Sequence, residues 1–280
     1  MPTIILQGPS LNNAATHTIA SQLGADIEHR TTHYRLHTRQ PVPRDAVAAL
    51  RHSHPFDINV LPDDFRPEQV RLLVTDMDST LINIECIDEI ADFIGVKPKV
   101  AAITEAAMRG EINFETSLTQ RVKLLTGLHA SALEHVYNER LRPNPGAERM
   151  VAGLKQRGIK IALVSGGFTF FTDRLKQRLA LDYARANVLE IIDGHLTGHI
   201  LGAITGAAGK AEFLLDLCRQ LGISPQQTVA MGDGANDLEM MKVAGLSIAY
   251  HAKPAVQAQA GAVINHGGLE GVLGLLDIAG

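Results

Sequence analysis

The run Leu72-Leu73-Val74-Thr75 leads directly into two aspartates, Asp76 and Asp78. A short uninterrupted apolar run reads as a strand buried on both faces, which implies a parallel sheet covered by helices. In open sheets of that kind, ligands bind outside the carboxyl ends of the strands. Both carboxylates are therefore expected at a binding edge. A second acidic cluster, Gly232-Asp233-Gly234-Ala235-Asn236-Asp237, follows another apolar run. Two distant acidic clusters meeting over one edge make a place for a hard divalent cation. They point to metal-assisted chemistry on a phosphate.

The rest of the chain is organised around that edge. Thr3 to Gln7 reads as strand, Asn12 to Leu23 as helix, Ala25 to Thr38 as a polar strand-like stretch, Asp45 to His52 as helix and Phe56 to Leu61 as strand. Together they predict a small βαβαβ-like unit. Pro62 and Pro67 bracket a linker, and the main domain begins near Val70. Residues 85–94, 98–109, 113–126 and 129–141 have helical patterns, punctuated by Gly95, Gly110 and Gly127 and ended by Pro143 and Pro145. Strands and helices then alternate, with Asp193-Gly194 marking a hairpin. This alternation predicts an α/β fold with a parallel sheet. The helical block inserted after the first strand of that sheet is placed to cover the site as a lid.

Each constellation has a chemical reading and a plain structural one. A carboxylate at Asp76 is able to attack phosphorus and form an acyl phosphate. Asp78 is able to protonate the leaving oxygen and then activate water. The pair also suits the start of a helix near Ser79. Asp233 and Asp237 share a face if their turn becomes helical, with Asn236 orienting them. Ser165-Gly166-Gly167-Phe168 follows the run Ile159–Val164 as a strand-to-helix turn, where a hydroxyl and backbone N–H groups suit phosphate oxygens. Lys210 stands at a helix start, a poor place for a cation unless it meets an anion there. On the lid, Arg121 suits a carboxylate, Glu85 an ammonium, and Phe114 the exclusion of water. Arg109 and Glu111 share that lid; an ordinary amphipathic helix face explains all five as well.

Composition removes other classes. Net charge is −4 and no tryptophan is present, so nothing favours a nucleic-acid surface or a base-stacking platform. The two cysteines, Cys86 and Cys218, lack metal spacing and read as free thiols in a reducing compartment. No segment has membrane-spanning character and the first residues do not form a signal peptide, so a cytoplasmic protein is expected. His29, His33 and His37 align only if their segment is helical, so a metal site there is not expected.

In order along the chain, Asp76-Met77-Asp78-Ser79-Thr80, Ser165-Gly166-Gly167-Phe168, Lys210 and Gly232–Asp237 resemble the four motifs of the haloacid dehalogenase superfamily of phosphoaspartate hydrolases. From about Leu72 onward the chain resembles the phosphoserine phosphatases within it. The resemblance implies a HAD-like Rossmannoid core at 70–84 and 143–280, a small helical cap at 85–142, and a leading domain at 1–66 similar to a reduced ACT domain that is one strand short. It further implies that Asp76 is the nucleophile and Asp78 the general acid and base. Asp76, the Asp78 carbonyl and Asp233 would bind Mg²⁺, with Asp237 supporting them. Ser165, Gly166 and Lys210 would hold the phosphoryl oxygens, and Asn236 would also bind substrate. Glu85, Met108, Phe114 and Arg121 would surround the serine moiety. The expected substrate is a small phosphomonoester, hydrolysed in the final step of serine biosynthesis; a homodimer stays open. Phosphoryl transfer to an acceptor such as homoserine, or Mg²⁺-dependent ligand binding without turnover, are the alternatives.

Overall fold

Alternation along the central strands sets the architecture. The computed structural model describes residues 3–279, without the side chains of Arg44 and Met108. The main sheet comprises β5 (Leu72–Thr75), β6 (Lys160–Phe168), β7 (Tyr183–Ile192), β8 (His195–Leu201), β9 (Thr228–Gly232), β10 (Leu246–Tyr250) and β11 (Ala262–Ile264). Its order is β11-β10-β9-β5-β6-β7-β8, parallel except for β8, which returns antiparallel to β7. Side chains of successive strand residues point to opposite faces. Leu73, Ile161, Leu163, Val229, Met231 and Ile248 thus join one apolar cluster, and Leu72, Val74, Ala162, Val164, Ala230 and Ala249 the other. Helices cover both faces, so these strands need no polar side and read as continuous apolar runs.

The register places the acidic clusters side by side. Thr75 of β5 lies opposite Met231 of β9 and Leu163 of β6. Three adjacent strands therefore end together, delivering Asp76, Asp233 and Ser165 to one edge. No helix starts at Ser79. The segment Met77–Leu81 is a single distorted turn in which Ser79 takes φ 56°. The chain rises from there into the inserted helices and returns at Pro143, which bridges to Ile82. Asn144 ties this neck together by donating to the carbonyls of Thr80 and Ile82.

The insertion contains helices Cys86–Phe93, Lys97–Met108, Phe114–Lys123 and Ser131–His135, ending in a wide turn at Val136–Arg140. Its far side rests on the β7–β8 hairpin, where Gly127 donates to the Leu196 carbonyl and Ala130 to that of Gly194. Arg140 clamps Glu89 and Asp92 of the first helix of the insertion. The insertion is thus braced at both ends over the carboxyl edge of the sheet.

The amino-terminal unit has one strand more than its sequence suggests. It runs β1 (Thr3–Gln7), helix Asn13–Leu23, β2 (Ala25–His29), β3 (His33–Thr38), helix Arg44–Ser53 and β4 (Asp57–Val60), in the order β2-β3-β1-β4. This is a complete βαββαβ, the split-βαβ arrangement. The polar stretch at 25–38 is a hairpin. Its Arg30-Thr31-Thr32 turn carries none of the glycine, proline, asparagine or aspartate residues that mark turns in sequence. The three histidines part company on it: His29 stacks on Tyr34, His37 reaches Glu28 and His33 is buried.

One face of this four-stranded sheet packs its own two helices, while Ile5 belongs to the main core. The side chain of Asn59 donates to the Val263 carbonyl at 2.8 Å and accepts from the Val263 N–H at 2.7 Å. One amide side chain thereby occupies part of the outer edge of β11, a row of groups that would otherwise stay unpaired. Asp57 accepts from the N–H of Asn265 at 2.7 Å.

Candidate active site

Asp76 stands just past β5, held by its N–H to the Met231 carbonyl. Its Oδ1 receives the ammonium of Lys210 at 2.5 Å, and the same ammonium reaches Asp237 Oδ1 at 2.7 Å. All three side chains are buried. Lys210 lies one turn into the helix Ala207–Leu221 and is fully buried. Burial works against its charge, but the carboxylates of Asp237 and Asp76 outweigh burial and hold it protonated. Asp76 feels the opposite balance: burial and the Asp237 charge raise its carboxyl well above the usual range, against the pull of Lys210.

Asp233 and Asp237 leave β9 through a tight turn. A Cβ at Gly232 would lie 2.3 Å from the Asp237 carboxylate, so only glycine lets that side chain fold back over the strand end. Asp237 Oδ2 then accepts from the Gly234 N–H at 3.1 Å. Asp233 Oδ1 accepts from the Thr80 hydroxyl at 3.1 Å. Burial, then the Asp237 charge, push Asp233 up to about 6. One oxygen from each of Asp76, Asp233 and Asp237 lies within 4.8 Å of the others. Asn236 sits on the same turn, its amide oxygen against Gly234.

Asp78 points elsewhere. Its Oδ1 accepts from the N–H of Cys86 at 2.8 Å, and its Oδ2 from the Ser165 hydroxyl at 3.0 Å. Asp78 does receive a helix N–H, but from the first helix of the insertion rather than from a helix at Ser79. Burial raises its carboxyl, and these donors moderate the rise. Ser165, Gly166 and Gly167 are not a simple turn. They lie in an irregular extension of β6, with a register shift between Val164 and Phe168.

Three insertion residues approach this edge. The ring of Phe114 lies over Gly166, where a Cβ would come within 2.7 Å of its Cζ. Glu85 receives the Ser79 hydroxyl at 2.6 Å. It is open to solvent, yet crowding by the surrounding protein and the Asp78 charge push its carboxyl up to about 8. Arg121 is half-buried and feels the charges of Asp88, Glu85 and Asp78. Among the described residues no carboxylate comes within ion-pairing distance of its guanidinium. Met108 closes its helix; its side chain lies outside the described residues. Arg109 and Glu111 pair with each other on the surface at 2.6 Å, so the plain structural reading holds for both.

Comparison with known proteins fixes the family. The model of the haloacid dehalogenase-like hydrolases matches residues 70–245. The chain belongs to the haloacid dehalogenase-like hydrolase family. It is 56% identical over 224 residues to the phosphoserine phosphatase of a Polaromonas species, covering 78% of this chain and 95% of that one. The crystal structure of a probable phosphoserine phosphatase from Vibrio cholerae is 40% identical with TM-score 0.85, covering 99% of this chain and 86% of that one. A HAD family hydrolase from Salmonella enterica serovar Typhi is 33% identical with TM-score 0.89, covering 99% and 98%.

Hydrolases of this family use a divalent metal, and the donor set fits one. It consists only of oxygens, as hard divalent cations require. Asp76, Asp233 and Asp237 gather beside the ammonium of Lys210, and burial, followed by the Asp237 charge, raises both Asp76 and Asp233. Sequence reasoning missed three supporting residues: Thr80, Ser79 and Asn187. Thr80 and Ser79 lie inside the Asp76–Thr80 motif, where the sequence alone gives neither of them a role. Asn187 carried no signal, being one polar residue inside a strand.

Proposed function

We propose that this enzyme is a Mg²⁺-dependent phosphoserine phosphatase, hydrolysing O-phospho-L-serine to L-serine and phosphate through a phosphoaspartate, the last step of serine biosynthesis. The observation that carries the substrate assignment is Arg121: a half-buried guanidinium with no carboxylate partner among the described residues, on an insertion whose Phe114 closes over Gly166. We divide the chain into a leading domain at 1–66, a catalytic core at 70–84 and 143–280, and a cap at 85–142.

Arg121 takes the substrate carboxylate and Glu85, in its ionised form, the ammonium. Met108 and Phe114 flank the carbon between them. Ser165, the backbone at Gly166, Lys210 and Asn236 hold the phosphoryl oxygens. Lys210 fixes one oxygen of Asp76, and the other attacks phosphorus. As the Asp76–phosphorus bond forms, the bond to the seryl oxygen breaks, and Asp78 supplies that oxygen with its proton. Burial favours the protonated Asp78 that this step requires. Asp78 then takes a proton from water, whose oxygen displaces Asp76 from phosphorus and releases phosphate. Asp76, the Asp78 carbonyl and Asp233 would hold Mg²⁺, with Asp237 supporting them. The bound ion would neutralise excess carboxylate charge and polarise a phosphoryl oxygen.

Phosphate release from phosphoserine, phosphoethanolamine, phosphothreonine and glycerol phosphate, with and without Mg²⁺, tests this reading. Phosphoserine is expected to dominate kcat/KM and to require the ion. A preference for a substrate lacking either the ammonium or the carboxylate overturns it.

A further inference from the structure

The relay behind Asp78 begins at a residue outside the four motifs. Asn187 stands in the middle of β7, 1% exposed, opposite Phe168 of β6. Its Nδ2 donates to the Gly166 carbonyl at 2.9 Å, and its Oδ1 accepts from the Thr205 N–H at 2.7 Å. One buried amide thus pins the irregular extension of β6 to the segment that precedes the Lys210 helix.

The Gly166 carbonyl and the Gly167 N–H belong to one planar peptide and point in opposite directions. Fixing the carbonyl therefore fixes where that N–H points. It points at the Ser165 hydroxyl oxygen, 2.7 Å away. With that lone pair engaged, the hydroxyl is left to donate, and it does so to Asp78 Oδ2 at 3.0 Å. The chain of contacts runs from Asn187 through a peptide and a hydroxyl to the carboxyl of Asp78, and Asn187 itself is not among the groups assigned to hold substrate. Removing the amide would leave a buried carbonyl and a buried N–H without partners, and the peptide free to turn.

We propose that Asn187 is a positioning residue that orients the Asp78 carboxyl through the Gly166–Gly167 peptide and the Ser165 hydroxyl. The proposal rests on the reading of Asp78 as the group that protonates the leaving oxygen. A seryl oxygen needs that proton. Acetate, the leaving group of acetyl phosphate, departs as the anion and does not.

Rapid-quench measurement of phosphoenzyme formation in single turnovers, from phosphoserine and from acetyl phosphate, separates the possibilities. Asp78→Asn is expected to slow the reaction with phosphoserine by about 10²–10⁴-fold and that with acetyl phosphate by less than about tenfold. Asn187→Ala should show the same selectivity at smaller size, about 10–10²-fold on phosphoserine, within the range by which misplacing a reacting group slows chemistry. Asn187→Asp keeps the shape and the acceptor for Thr205 but loses the donor to Gly166. It should match Asn187→Ala, and it tests the relay if the alanine variant does not fold. Equal slowing with both phosphoryl donors means that Asn187 supports the fold or the phosphoryl-holding backbone at Gly166 rather than Asp78, and overturns the proposal. Full activity of Asn187→Asp overturns it also. An unselective Asp78→Asn overturns the reading of Asp78 on which it stands, whereas a selective Asp78→Asn beside unselective Asn187 variants sinks the relay alone.

Discussion

Arg121 and Lys210 are both cations near the edge of β5, but their surroundings differ, and the proposed mechanism gives them different tasks. Lys210 is buried and already occupied by Asp76 and Asp237. Arg121 has no carboxylate at ion-pair distance among the described residues, and in the proposed reading its partner is the substrate carboxylate. Replacing Arg121 by alanine should raise KM for phosphoserine far more than for phosphoethanolamine, which has no carboxylate. A buried charge pair broken on one side costs about 2–5 kcal/mol. Steady-state kinetics on both substrates measures the difference, and an equal loss on both would leave Arg121 a structural residue of the cap. Lys210→Met should instead lower kcat on both substrates, by about 10²–10³-fold as for other lost charge-stabilising donors. A change confined to KM would contradict its placement against Asp76.

Among the elements, β3 makes a prediction about pH. His33 on that strand is 3% exposed, and burial followed by the Arg35 charge lowers its pKa to about 4. The unfolded chain keeps the ordinary value near 6.5. Between those two values the unfolded state binds more protons, so stability falls as pH drops from about 6.5 toward 4. Thermal unfolding of His33→Gln should lose less Tm between pH 7 and 5 than the parent. An identical pH slope in both would show that His33 takes no part. The same strand shows where sequence reading stops. β5, β6 and β9 were legible because burial on both faces writes an apolar run into them. β2 and β3 were fused into one stretch because they are polar and their turn has no turn-forming residue. β11 was missed because three residues carry too little pattern. The edge of the site was legible for a related reason: Asp76, Asp78, Asp233 and Asp237 stand directly after apolar runs. Asn187 was not, since its two contacts join loops distant in sequence and nothing local distinguishes it.

At the scale of the whole molecule, the proline-bracketed linker joins two bodies that are also stitched by side chains. Asn59 pairs with Val263, Asp57 with Asn265, and Arg30 with Asp277. The site residues lie beyond this seam. A chain lacking residues 1–62 should therefore keep kcat within a few-fold while its Tm falls, because Ile5 leaves the shared core and β11 loses its cover. Phosphate release and calorimetry on the purified protein measure both, and a folded but inactive product would place the leading domain in the catalytic machinery. Among the described residues no helix is long and apolar enough to cross a membrane. In the proposed mechanism the sheet edge serves one event, the transfer of a phosphoryl group to Asp76. Acid-quenched enzyme, reduced with borohydride during turnover of phosphoserine and sequenced by mass spectrometry, tests that event directly. An aspartyl phosphate is reduced to homoserine, so the account predicts homoserine at position 76 and none in Asp76→Asn. A phosphorylated Ser165 with an unmodified Asp76 would contradict it.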